Sequence, residues 1–512
     1  MIRNPVLKGF CPDPSVVRVG DDYYLATSTF EWWPGVRLWH SRDLEHWQQI
    51  QSPLRRRSQL DMVGNPNNGG IWAPDISYKD GIFYLVYTDV KTQKQPYYNT
   101  HNYVVWTDNI NGEWSEPVYL NSMGFDPSLF HAPDGRTYLV NMRNGFKGIL
   151  LQEFDLSRKE LVGEIRTIFN GTDRGFTEGP HLYWHDDWYY LLVAEGGTGY
   201  RHCVTIARSR DIQGPYVIDP DNPILSSVDA SHAMLQKAGH ADLVKTQNGQ
   251  WYMFHLCSQP ENGISILGRE TAIQKISWTD DGWIRPVGGR IPQEMVAPPE
   301  GLHTCAFPDE PTMDDFDSPV LQPFYTSLRI PLDGVISLTE RSGWLRLFGQ
   351  ESITSRHHVS LVARRQTSHS CTVKTCMEFH PDFPEQAAGL CYIYNNENYH
   401  LLVLSMNDAN MSVLRLETSI HGSVTRQEIL LSVTKEDSLH LGLSVVGLTA
   451  QFSYAVGLDG DWIDAFTPLD ISILSDEKAP GFTGAHFALY CHDMTGQRKP
   501  ADFDYLNIWH HA

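Results

Sequence analysis

One phrase recurs five times in the first half of this chain, and recurrence at near-constant spacing constrains a fold more tightly than composition does. It begins as Asp13-Pro14-Ser15-Val16-Val17 and leads to Asp21-Asp22-Tyr23-Tyr24-Leu25. It returns as Asp75-Ile76-Ser77-Tyr78 with Gly81-Ile82-Phe83-Tyr84-Leu85, and as Asp126-Pro127-Ser128-Leu129 with Gly135-Arg136-Thr137-Tyr138-Leu139. The fourth copy is Glu178-Gly179-Pro180-His181-Leu182 with Asp187-Trp188-Tyr189-Tyr190-Leu191. The fifth is Asp242-Leu243-Val244 with Gly249-Gln250-Trp251-Tyr252-Met253. Each copy is an acid, an apolar run, a Gly or Asp turn and an aromatic strand. The acids lie 62, 51, 52 and 64 residues apart, slightly more than the roughly 40–50 residues of a propeller blade. Five copies predict a five-bladed β-propeller over residues 1–295, with the five acids as equivalent positions around one mouth of its channel.

The phrase stops near Gly288-Gly289, and Pro292, Pro298, Pro299, Pro308 and Pro311 follow. Residues 296–314 therefore read as a linker. From 315 to 512 short alternating strands continue without the acid, as in Trp344-Leu345-Arg346-Leu347-Phe348 and His400-Leu401-Leu402-Val403-Leu404. That pattern predicts a β-sandwich and makes the whole chain all-β.

Charge narrows the partners. Lys and Arg number 40 against 61 Asp and Glu, a formal net charge of −21, which repels phosphate backbones and anionic lipid. Nucleic acid and membrane are excluded as expected partners. Met1-Ile2-Arg3-Asn4-Pro5-Val6 carries no apolar signal core, so the expected location is cytoplasmic. The eight cysteines are scattered, fit no metal motif and are expected to be reduced.

A ring of acids at a channel mouth suits glycosidic hydrolysis. One carboxyl protonates the leaving oxygen and another activates water or attacks the sugar. Close carboxyls push each other's pKa values apart, which keeps one protonated near neutral pH. The plainer reading is that each acid bonds the amides of its own turn. Asp13 and Asp126 share a following Pro-Ser, and Glu178 alone is the longer acid, so these three stand out for chemistry. Asp75 and Asp242 read as structural.

Several stretches resemble the β-xylosidases and α-L-arabinofuranosidases of glycoside hydrolase family 43. They are Gly9-Phe10-Cys11-Pro12-Asp13-Pro14-Ser15, Gly70-Ile71-Trp72-Ala73-Pro74-Asp75, Gly124-Phe125-Asp126-Pro127-Ser128, Thr177-Glu178-Gly179-Pro180-His181, Lys237-Ala238-Gly239-His240-Ala241-Asp242 and Leu267-Gly268-Arg269-Glu270. The resemblance continues at Leu361-Val362-Ala363-Arg364-Arg365 and Ala501-Asp502-Phe503-Asp504-Tyr505. It implies a propeller followed by a sandwich and an inverting exo-hydrolase acting on xylo-oligosaccharides. By motif, Asp13 would be the general base and Glu178 the general acid, with Asp126 raising and orienting that acid. Inversion would hold base and acid roughly 6.5–9.5 Å apart.

The same resemblance places Arg269 in the pocket, paired with Asp126, and makes Phe30 and Trp72 the wall of the terminal-sugar subsite. Phe482, from the sandwich, would cover that site. It implies no cofactor for the chemistry, and it allows a divalent cation, Ca or Mg, in the channel, held through His240 and waters. A homo-dimer or homo-tetramer is compatible with it. One departure is Cys11, where the family carries His. Three alternatives stay open: mainly α-L-arabinofuranosidase, a retaining fructosidase-type propeller, and a non-catalytic carbohydrate-binding propeller.

Overall fold

Aromatic and β-branched side chains fit a pleated surface, and runs such as Asp22–Thr27 and Ile82–Thr92 are rich in them. In the computed structural model, which describes residues 1–94, 96–434, 437–457 and 460–511, these runs are strands. Among the described residues there is no helix.

The first half folds as five antiparallel sheets whose strands lie side by side in chain order. Their first strands are Ser15–Val19, Gly70–Lys79, Gly124–His131, Glu178–His185 and Gln236–Lys245. Each first strand touches the first strand of the next sheet, and the fifth touches the first, so the contacts run in a closed ring. Apolar side chains fill the space between neighbouring sheets. Ala26 and Leu38 pack with Ile76 and Leu85, Val86 and Val104 with Leu129 and Leu139, and Val140 and Leu151 with Leu191 and Val193. Leu192 and Ile206 meet Leu243 and Met253, and Leu25 and Trp39 meet Tyr252 and Phe254. Burying one such side chain contributes about 1.5–3 kcal/mol.

The inner strands share a device that the repeated phrase only half displays. Asp13, Ala73, Asp126, Gly179 and His240 have φ of 56°, 28°, 53°, 57° and 46°, and strand register breaks beside the last four. These β-bulges are the structurally matching positions. The five acids are therefore not equivalent, contrary to the alignment by phrase. Asp75 and Asp242 lie two residues further along, level with Ser15, Ser128 and His181, about 7 Å away along an extended strand.

That second tier joins the sheets through side chains. Ser15 Oγ donates to Asp75 Oδ1 at 3.0 Å, and Asp75 Oδ2 accepts from the Leu129 amide at 2.9 Å. Ser128 Oγ donates to the Pro180 carbonyl at 2.6 Å. The Tyr183 hydroxyl donates to Asp242 Oδ1, and Asp242 Oδ2 accepts from the Val16 amide at 2.7 Å. The five bonds run from sheet to sheet and return to the first.

Ile2–Arg3 pairs with Met295–Val296 at the end of the first unit. No strand lies within residues 297–312. Two larger sheets follow, one centred on Pro500–His510 and Ser370–Glu378, the other on His486–Asp493 and Gln386–Asn395. Val373, Leu443, Phe452 and Phe503 of one face Leu390, Leu402, Phe487 and Leu489 of the other across a shared core. The two units also share apolar surface, for Phe10, Phe30 and Trp32 pack with Leu328, Val359, Leu401 and Tyr490. Ser327–Leu328 pairs with Trp32–Trp33.

Asp75→Ala would strand Ser15 Oγ and the buried Leu129 amide, and is expected to cost about 2–3 kcal/mol of stability. A guanidinium titration reads this as a lowered midpoint; an unchanged midpoint would show that the tier does not hold the sheets together.

Candidate active site

The bulges aim the tier above into a cavity of about 270 Å³, at the small end of the range for ligand pockets. Asp13, Asp126, Glu178, His240, Arg269, Phe30, Trp72 and Phe482 all line it. Every residue that the sequence singled out for the site is thus brought to one place. The fold does this by putting Asp126 and His240 at the left-handed bulge residue itself, Asp13 at the matching left-handed residue just before its strand, and Glu178 immediately before Gly179. A Cβ at Gly179 would stand 3.0 Å from the His240 ring, so this turn is fitted to glycine.

The three carboxyls are buried and differ in their partners. Asp13 Oδ2 accepts from Ser28 Oγ at 2.6 Å, and that hydroxyl accepts from the Ala73 amide at 2.7 Å. Asp13 Oδ1 is 3.3 Å from Arg269 Nη1 and 3.7 Å from His240 Nδ1. Burial pushes the Asp13 carboxyl up, but Arg269, His240 and Ser28 together outweigh it and hold it below its ordinary value. Glu178 has no such cation bond. Burial, then the charges of Asp126 and Asp13, push it well above the ordinary carboxyl range. Asp126 is raised by burial and by Asp13, although its Oδ2 accepts from the Gly179 amide at 3.0 Å. The surroundings therefore favour the ionised form of Asp13 and the protonated form of Glu178 in one site. One can take a proton from water and the other can give a proton away.

Arg269 corrects one expectation. Its carboxylate partner is Asp13, not Asp126, and its Nη2 donates to the Phe482 carbonyl at 3.3 Å. Its guanidinium carbon is 5.4 Å from the ring centres of both Phe30 and Phe482. The three aromatics form a triangle with centroid distances of 6.0 Å for Phe30–Trp72, 5.6 Å for Phe30–Phe482 and 5.6 Å for Trp72–Phe482. Such faces suit the apolar side of a sugar ring.

His240 is buried, which lowers its pKa to about 4 and leaves it neutral. It faces Asp13. The residues whose donor atoms cluster at metal spacing are instead Asp75, His181 and Asp242, within 4.8 Å of one another. His181 Nδ1 lies 3.6 Å from Asp75 Oδ1 and 3.7 Å from Asp242 Oδ1. Both oxygens already accept hydrogen bonds, from Ser15 Oγ and the Leu243 amide among others. A hard cation that prefers six or more oxygens would find a poor fit in this set and would need water to complete it. Cys11 stays out of the pocket. Its thiol is buried near Arg37 and Arg365 and burial raises its pKa, while its amide donates to the Arg269 carbonyl at 2.9 Å.

The pocket also contains residues that the sequence reading passed over, among them Phe125, Phe146, Phe176 and Tyr98. A signal for three of them was present. Gly-Phe occurs five times in the chain, and the phenylalanines at 125, 146, 176 and 482 all line the cavity. Phe146 and Phe176 both have positive φ, 55° and 52°, a strained state for bulky residues that concentrates at functional sites.

Residues 2–284 match the family model for glycosyl hydrolases family 43, and residues 313–508 match that for the beta xylosidase C-terminal concanavalin A-like domain. A xylan 1,3-beta-xylosidase from a Vibrio species is 44% identical, with 100% of this chain and 99% of the relative covered. A xylosidase/arabinosidase from Humicola insolens is also 44% identical, over 99% of this chain and 97% of its own length. Among solved structures, a xylan beta-1,4-xylosidase from Bacillus halodurans superposes with a TM-score of 0.96 at 48% identity, covering 99% of this chain and all of that one.

Proposed function

The chain belongs to glycosyl hydrolase family 43, and we propose that it is an inverting exo-hydrolase releasing terminal β-D-xylose, or α-L-arabinofuranose, from short xylo-oligosaccharides or arabinoxylo-oligosaccharides. The observation that carries the proposal is the meeting of three buried carboxyls in one small pocket, with Arg269 paired to Asp13. Asp13 takes a proton from a water whose oxygen attacks the anomeric carbon. Glu178 gives its proton to the glycosidic oxygen as that bond breaks. Any charge on Asp126 raises Glu178 further, and its Oδ2 fixes the turn beside that acid by accepting from the Gly179 amide. Arg269 keeps Asp13 ionised and closes the pocket against Phe482. Carboxyls and water supply every proton moved, so the chemistry calls for no cofactor.

The names of the relatives support xylose first and arabinofuranose close behind. The closed ring of inner strands and the five apolar clusters between sheets support a five-bladed propeller over residues 1–295. A linker over 296–314 and a sandwich over 315–512 complete the reading.

Glu178→Gln is expected to lower kcat on nitrophenyl β-xyloside by roughly 10²–10⁴-fold while xylose still binds; unchanged turnover would overturn the enzyme reading in favour of a sugar-binding propeller. Proton NMR of the first turnovers on a β-xyloside is expected to show α-xylose, and β-xylose first would mean retention. Activity needs Asp13 ionised and Glu178 protonated. It should therefore rise as pH climbs through the lowered Asp13 pKa and fall as pH climbs through the raised Glu178 pKa. Arg269→Met removes the cation that opposes burial at Asp13 and is expected to move the acidic limb of kcat/KM to higher pH.

A further inference from the structure

The aromatic triangle is assembled from three separate stretches, and a single residue outside it touches all three. Asn68 is buried, and its four polar groups are all engaged. Its amide donates to Glu31 Oε2 at 3.1 Å, next in sequence to Phe30. Its carbonyl accepts from Trp72 Nε1 at 2.8 Å. Its Oδ1 accepts from the Phe482 amide at 3.0 Å, and its Nδ2 donates to the Pro480 carbonyl at 3.3 Å. We propose that Asn68 is the positioning residue that sets the Phe482 loop of the second unit against Trp72 and Phe30, and so fixes the width of the terminal-sugar subsite.

Residue type and backbone agree with this role. Asn68 has φ of 63°, a conformation that asparagine tolerates better than other side-chain-bearing residues. The loop it grips is built to meet it closely. A Cβ on Gly481 would lie 2.7 Å from Asn68 Oδ1 and 2.5 Å from the Tyr394 hydroxyl. Glu31, which anchors the Asn68 amide, is fully buried with Arg329 as its charged neighbour from the second unit. Arg329 in turn donates to the Asn65 carbonyl and to Asn67 Oδ1, both at 2.7 Å. The segment 65–68 is thus clamped from below by the second unit and presents Asn68 upward to the loop of that same unit. Asn68 lines not the catalytic cavity but the one adjoining it, which shares Gln93, Thr198 and Phe482 with it, so its reach to the terminal sugar is through Phe482 and Trp72.

The inference rests on the hydrolase reading, and the test separates the two. Kinetics on nitrophenyl β-xyloside would compare the full-length wild type with Asn68→Gly, Asn68→Asp, Phe482→Ala and the Asn68→Gly/Phe482→Ala double variant. Asn68→Gly keeps the left-handed backbone and both backbone bonds but deletes the grip on the loop. It is expected to raise KM about tenfold with kcat within about threefold, and to leave the pH limbs in place because no carboxyl partner is touched. Asn68→Asp keeps the acceptor for the Phe482 amide and is expected to recover most of that loss. In the Phe482→Ala background, Asn68→Gly is expected to add less than about twofold, since its target is already gone. If Asn68→Gly does not fold, Gly481→Ala, whose Cβ would push the loop off Asn68 Oδ1 at an ordinary backbone position, takes its place with the same expectations. Wild-type KM in the glycine variant, equal losses with and without Phe482, or an aspartate variant as impaired as the glycine one would each overturn the role of Asn68. A wild type without activity on any xyloside or arabinofuranoside would instead sink the hydrolase reading.

Discussion

Everything in the site depends on five left-handed residues, one at the head of each inner strand and four of them in β-bulges, held at a common level by the hydrogen-bonded tier two residues beyond them. A bulge twists its strand and re-aims a side chain. Here it turns Asp126 and His240 into the cavity and sets Glu178 beside them, while Asp13 enters from the matching left-handed residue. The tier supplies what the bulges lack, for a bulge leaves the ladder locally unpaired. Buried carboxylates at Asp75 and Asp242 fill that gap by accepting amides from the next sheet. Acids of one chemical type thus do opposite jobs according to a two-residue offset.

That offset marks where sequence could be read and where it could not. The five-fold repetition and the all-β character were visible because periodicity is a local signal. The equivalence of the five acids was misread. Asp75 and Asp242 fall into the phrase by composition, while the backbone register that separates them from Asp13 and Asp126 is set by bulges, and no residue type announces a bulge when its left-handed position is Ala73 or His240. The partner of Arg269 was unreadable for a similar reason. Asp13 and Asp126 both line the cavity, and only the three-dimensional path of the fifth sheet decides which one the guanidinium meets. The eight residues named for the pocket came mostly from family resemblance rather than from spacing. The recurrent Gly-Phe pairs were a spacing-free signal that went unused.

Electrostatics follow from the same geometry. Three buried carboxyls around one cavity cannot all ionise, because each charge raises the cost of the next. The single guanidinium decides which one does. Arg269 sits against Asp13, and Ser28, oriented by the Ala73 amide, adds a donor to the same group. Asp126 and Glu178 have no such partner, so burial and the charge of Asp13 raise both above the ordinary carboxyl range. Had Arg269 met Asp126 instead, as the family resemblance implied, Asp13 would have lost the charge that offsets its burial. The base and acid roles would then have been far less separated.

The second unit is part of this arrangement rather than an appendage. Phe482 closes the aromatic triangle, its carbonyl accepts from Arg269 and its amide donates to Asn68. Lys237, three residues before His240 of the fifth inner strand, is buried and bonds both Asp476 and Glu477 at the base of the same loop, at 2.8 and 2.6 Å. The loop is therefore held on both sides by the first unit, and the apolar surface shared by Phe30, Trp32, Leu328 and Tyr490 fixes the angle between the units. A subsite wall carried on a free-standing domain would be as variable as the hinge beneath it. A wall tied down by a buried asparagine, a buried lysine and a common core inherits the rigidity of the sheets, and a small cavity closed in this way admits the end of a chain more readily than its middle.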